Sequence, residues 1–181
     1  FFRDDYIFEC AAYEMSRLLG LDTVPPVVLR RIYGEDGSLQ AWIEGTTMEK
    51  DRQLKKLLPP DVRRWNRQIE TMRLFDNLIF NFDRNVGNIL FDKDWKVWWI
   101  DHTRSFRRQP GLQNPESVVE VNRAVWERLL KLDDGVVRAR LKPYLRSYEI
   151  DALLERRTKL IEYIQGLIDK RGESAVLYNP E

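Results

Sequence analysis

One cysteine and one histidine are all that this 181-residue sequence offers of two side chains much used for metal binding and nucleophilic catalysis. Cys10 has no partner for an internal disulfide, and no Cys/His cluster of zinc spacing can be built. Its thiol falls on an apolar helical face, which reads as a small core residue rather than a nucleophile. Scarce cysteine fits a reducing compartment, so a cytoplasmic location is expected. No apolar run reaches the roughly 18 residues of a membrane span, and the first residues do not read as a signal peptide. No transmembrane segment is therefore expected. An excess of one charge is missing too: Lys and Arg total 30, Asp and Glu 29, and the net charge is +1. A dedicated nucleic-acid binder would show a basic excess, so nucleic acid is not an expected partner. Internal repeats and low-complexity tracts are absent. The chain opens on Phe1 rather than Met, which reads as a fragment of something longer.

What is present suits one domain with a real core. Residues 4 to 19 carry Phe8, Ala11, Ala12, Met15, Leu18 and Leu19 at helical spacing, with Gly20 as the stop. Glu9 lies beside that apolar face, and from the pattern alone reads as a solvated helix glutamate. Residues 27 to 33 read as a strand, 34 to 37 as a turn, and 38 to 43 as a second strand. The polar stretch 46 to 60 reads as a linker with a short helix at 51 to 58. Asp61 caps a long helix to about Asn81, whose stripe is Val62, Trp65, Ile69, Met72, Phe75 and Ile79. Arg63, Arg64 and Arg67 fall on its solvated side. Residues 102 to 115 read as a loop with Arg104, Arg107 and Arg108, either an ordinary surface loop or a contact for a phosphate or acidic substrate. Helical patterns follow at 116 to 131 and 136 to 142, and in a long final helix capped by Ser147 and ended by Arg171-Gly172. The tail from 173 to 181 either packs or frays.

The stretch from Phe75 to Phe106 carries the chemistry. Asp83 and Asn88 are five residues apart in DRNVGN. A short hairpin follows, Asn88 to Phe91 and Val97 to Ile100, and Asp101 comes directly after it. Phosphoryl transfer needs a carboxylate beside the attacking hydroxyl and hard oxygen ligands for Mg²⁺. Asp83 suits the first task, and Asn88 and Asp101 suit the second. A loop pinned by the hairpin would bring Asp101 back beside Asp83, and Gly87 lets the chain turn just before the strand. The plainer alternative is that NVGN is a turn and the two aspartates cap loops.

Four stretches together resemble an atypical kinase-like group: type II phosphatidylinositol 4-kinases, secretory-pathway kinases and bacterial HipA-type kinases. Glu9-Cys-Ala-Ala-Tyr, with Leu18-Leu-Gly-Leu and Val24-Pro-Pro, resembles their helix C and the strand after it. Residues 37 to 45, GSLQAWIEG, resemble the hinge strand that meets adenine. DRNVGN resembles the catalytic loop, and Ile100-Asp101 with Phe106 resembles the metal-binding Asp motif. The likeness is nearest to the lipid kinases and their bacterial relatives. It implies an α+β, protein-kinase-like fold: a partial N-lobe over 1–45, with helix C, a hairpin and the hinge, and a mostly helical C-lobe over 46–181. It implies ATP and Mg²⁺ as cofactors, Asp83 as catalytic residue, and Asn88 and Asp101 as metal ligands. Glu9 would partner the nucleotide lysine, and Trp42 and Ile43 would meet adenine. The pattern breaks in one place, because no lysine or phosphate loop precedes Glu9.

The function expected is an ATP-dependent phosphotransferase acting on a protein or lipid hydroxyl, its activity as this chain alone expected to be poor. The alternatives are a pseudokinase or nucleotide-binding interaction module, and a helical scaffold whose Asp and Asn residues only form turns.

Overall fold

The computed structural model describes residues 4–179. The first three residues of the expected N-lobe and the last two of the tail lie outside the described residues.

Helix α1 (Ile7–Leu18) forms where predicted and buries Phe8, Ala11, Ala12 and Met15. Gly20 follows it in the left-handed conformation at φ 65°, which glycine adopts without steric cost. Strands β1 (Val27–Ile32) and β2 (Glu35–Gln40) form an antiparallel hairpin. Its turn is tighter than the sequence pattern predicts. Tyr33 and Gly34 both take positive φ, 53° and 87°, as a two-residue type I′ connection requires. The second strand therefore starts at Glu35 and ends at Gln40, so Trp42 and Ile43 lie beyond it. Val28, Leu29, Ile32 and Leu39 remain exposed on this hairpin.

The expected linker is structured from its start. Strand β3 (Thr47–Met48) pairs with the first strand of the hairpin that follows the Asp83 loop, and α2 (Glu49–Leu54) comes at once. Buried Glu49 takes hydrogen bonds from Arg52 and Gln53. Helix α3 (Val62–Ile79) is capped by Asp61, whose side chain accepts from the Arg64 amide at 2.9 Å. The expected stripe turns inward from Trp65 onward, but Val62 is exposed. Strands β4 (Ile89–Phe91) and β5 (Val97–Trp99) form the expected hairpin, completing a sheet of order β3-β4-β5.

The segment 116 to 131 is helical only in its second half. A short 3₁₀ turn (Pro115–Ser117) and strand β6 (Val121–Asn122) come first, then α4 (Arg123–Lys131). Asn122 Oδ1 accepts from the Ala124 and Val125 amides, and that cap sets the start of the helix. Helix α5 (Asp134–Leu141) leads to α6 (Ser147–Arg171). Ser147 is not the cap. Arg146 precedes the first turn, and its backbone amide donates to Glu149 Oε2 at 2.8 Å. The tail packs: α7 (Glu173–Val176) brings β7 (Leu177–Tyr178) alongside β6 in parallel, with Val176, Leu177 and Tyr178 buried.

One core joins α1, α3, α4, α5, α6 and the β4-β5 hairpin. The loop after β5 roots in that core. His102, Ser105 and Phe106 have at most 1% of their surface exposed.

Candidate active site

Helix α3 ends on Phe80, in the left-handed conformation at φ 55°. That turn throws the chain off the helix and into the Asp83 loop. The loop is held by a side-chain network that no sequence pattern announces. Asp76, buried in the last turn of α3, forms two parallel hydrogen bonds with Arg84, each 2.9 Å. Arg84 Nη1 also donates to the carbonyls of Asn88, at 3.0 Å, and Ile100, at 2.7 Å. One guanidinium thus ties the helix, both ends of the loop and the residue before Asp101 together. Asn81 bonds Asp76 with its amide nitrogen and accepts from the Asp83 backbone N–H with its amide oxygen.

Asn88 Nδ2 donates to the Asp83 carbonyl at 3.1 Å. The Ile100 amide donates to the Asn88 carbonyl, also at 3.1 Å. Asp83 and Asn88 are therefore fixed to each other, and Asn88 to the strand end that presents Asp101. Asp101 takes a positive φ of 59°, an uncommon state for a residue with a side chain, held here by its surroundings. Its Oδ1 accepts from the Thr103 hydroxyl at 3.0 Å. The guanidinium of Arg104 lies 3.1 Å from Asp83 Oδ2 and 3.0 Å from Asp4 Oδ2. The hydrogen bond with Asp4 and the charges of Asp83, Asp4 and Asp101 push the Arg104 pKa up. One cation thus feels both aspartates of the expected site. Carboxylate and amide oxygens such as those of Asp83, Asp101 and Asn88 are hard donors of the kind that suits a divalent ion such as Mg²⁺, while among the described residues no three His, Cys, Asp or Glu side chains are gathered together.

Glu9 is buried, which corrects the reading of a solvated helix residue. Its Oε1 accepts from the His102 backbone N–H at 2.5 Å, and its Oε2 lies 3.1 Å from His102 Nδ1. Burial works to raise the Glu9 pKa. The hydrogen bonds and charge of His102, with the charge of Arg84, outweigh it and hold the carboxyl below its ordinary value. Glu9 is therefore attached to the residue next to Asp101. Trp42 and Ile43 are not gathered into this network. Trp42 is 85% exposed, and Ile43 uses its carbonyl to accept from the Thr46 hydroxyl.

The three arginines of the following loop part company. Arg104 turns to Asp83, Arg107 lies over the Phe82 ring at 4.3 Å, and Arg108 over the Tyr148 ring at 4.4 Å. Arg156 of α6, fully buried, holds the loop backbone through the Arg107 and Gln109 carbonyls and bonds the Leu78 carbonyl on α3. Burial lowers its pKa to about 10.

No family model and no curated protein matches the sequence. The fold does have counterparts among solved structures. A hydra Fam20 structure determined with sugar aligns over 98% of this chain and 75% of its own, with TM-score 0.73 and 15% identity. The Golgi casein kinase aligns with TM-score 0.69 over the whole of this chain and 66% of its own, at 15% identity. The same kinase with Mn/ADP bound gives TM-score 0.70 and 15% identity over 99% of this chain and 65% of its own. The chain thus spans about two thirds of the length of that kinase. The fold is kinase-like.

Proposed function

We propose that the chain carries the catalytic centre of an ATP-dependent phosphotransferase acting on a hydroxyl group. The observation that carries this reading is the connected path from Asp83 through Asn88 and Ile100 to Asp101, with Arg104 paired to the Asp83 carboxylate. Asp83 orients the acceptor hydroxyl and takes its proton. Asn88 and Asp101 hold Mg²⁺, and the bound ion would neutralise phosphate charge. Trp42 and Ile43, between the hairpin and β3, meet adenine. Glu9 serves as a positioning residue, fixing the backbone beside Asp101 through His102. In this reading residues 1–45 act as a partial N-lobe and 46–181 as the C-lobe.

Protein and lipid hydroxyls are the first acceptors to try. A sugar hydroxyl joins them because the hydra structure contains a sugar. That a similar kinase was solved with Mn/ADP supports a nucleotide and a divalent ion here. Among the described residues no helix is long and apolar enough to cross a membrane. The reducing compartment rests on the single buried cysteine, while one similar protein is by name a Golgi enzyme.

A pseudokinase is the second reading. The observation that favours it is Glu9, whose two carboxylate oxygens are both engaged by His102 rather than turned to a lysine. The test is radiolabel transfer from ATP to protein, lipid and sugar acceptors, with Asp83→Asn beside the native chain. Transfer that depends on Asp83 supports the enzyme. Mg·ATP binding without transfer supports the pseudokinase. Absence of both refutes the two together.

A further inference from the structure

A cavity of about 540 Å³ opens between the α1–β1 connection, α3, the β4-β5 hairpin and the β6–α4 junction. Arg64, Arg67, Lys96 and Arg128 line it, against one carboxylate, Asp22, which is paired with Lys96 at 2.7 Å. Arg67 lies over the Tyr178 ring at 4.5 Å. Arg64 and Arg128 are held by main-chain carbonyls, those of Asp94 and Leu19, and among the described residues neither pairs with a carboxylate. Five N–H groups on each guanidinium outnumber those single bonds.

The Arg128 guanidinium lies against Gly20. That glycine is left-handed, and a Cβ there would sit 1.4 Å from Arg128 Nη1, so the guanidinium would have to move aside. Behind the cavity wall, the Trp99 indole Nε1–H and the Thr23 hydroxyl are shielded and find no partner among the described residues. A wall of cations with a single paired carboxylate is the complement of a multivalent oxyanion.

We propose that this cavity binds a small phosphate-bearing anion of the pyrophosphate class. Trp99 lies two residues before Asp101 on the same strand end, so occupancy there bears on the candidate active site. The proposal stands independently of the phosphotransferase reading.

The probe is pyrophosphate, in EDTA so that metal-dependent nucleotide binding is silent. Binding is followed calorimetrically and by the tryptophan indole signals in ¹H–¹⁵N spectra. The Trp99 signal should move saturably, and added salt should weaken binding. Arg64→Ala, at an exposed position, should weaken it about tenfold. Arg63→Ala, one residue away and outside the cavity, and Asp83→Asn, in the candidate active site, should leave it unchanged. ADP in a parallel titration distinguishes a nucleotide source of the phosphates from a bare polyphosphate. A Trp99 signal that stays still, or equal weakening by Arg63→Ala and Arg64→Ala, overturns the proposal.

Discussion

Arg84 bears more of the site than any residue that composition singles out. Its two bonds to Asp76 are shielded from solvent, with the paired side chains 9% and 11% exposed. Removing one partner leaves the other charge buried and uncompensated. Asp76→Ala should therefore cost about 3–5 kcal/mol, read as a fall in the urea midpoint. Glu9 gives a second prediction at this scale. Its folded pKa lies below the unfolded value of about 4.3. The stability it contributes is complete above the unfolded pKa and is lost as pH falls through the folded one. Urea titrations from about pH 7 down to about pH 3 should show a steeper acid loss for the native chain than for Glu9→Gln. Equal slopes would count against the Glu9–His102 contact.

Elements show where pattern reading succeeds and where it stops. Helix α3 is legible because Asp61 follows two prolines and the apolar residues repeat over about five turns. The β4-β5 hairpin is legible because turn residues separate two short apolar runs. Strands β3, β6 and β7 have two residues each, too few for any period, and they exist only through partners distant in sequence. Trp42 and Ile43 fall inside the expected strand because nothing in a tyrosine announces the positive φ of Tyr33 that shortens the turn. Two predictions belong here. Asp61→Ala removes the α3 cap and should cost about 1 kcal/mol in urea unfolding. Leu177→Ala, in the buried β7, should cost about 2–5 kcal/mol by the same measurement. A value near zero would mean the tail is not part of the cooperative core.

Across the whole molecule, the candidate site is a meeting of α1, the end of α3, the hairpin and the loop pinned by Arg156. The spacing of Asp83, Asn88 and Asp101 over a loop and a hairpin is what names them as candidates, and the structure ties Asp83 to Asn88 and Asn88 to the residue before Asp101. No spacing names the supports. Asp76, Arg84, Asn81 and Arg156 read as ordinary helix and loop polar residues until the fold buries them. Glu9 likewise looks solvated until α1 is laid against the loop carrying His102. The basic side of α3 carries no distinguishing mark in the sequence either, because its counterpart, Arg128, arrives from α4. The measurement that bears most directly on the central claim is the thermal stability of the native chain and of Asp101→Ala, each with ATP, with and without Mg²⁺. A metal site built on Asp101 predicts a rise in Tm that requires Mg²⁺ and disappears in Asp101→Ala. An equal rise in both proteins, or none in the native chain, would contradict it.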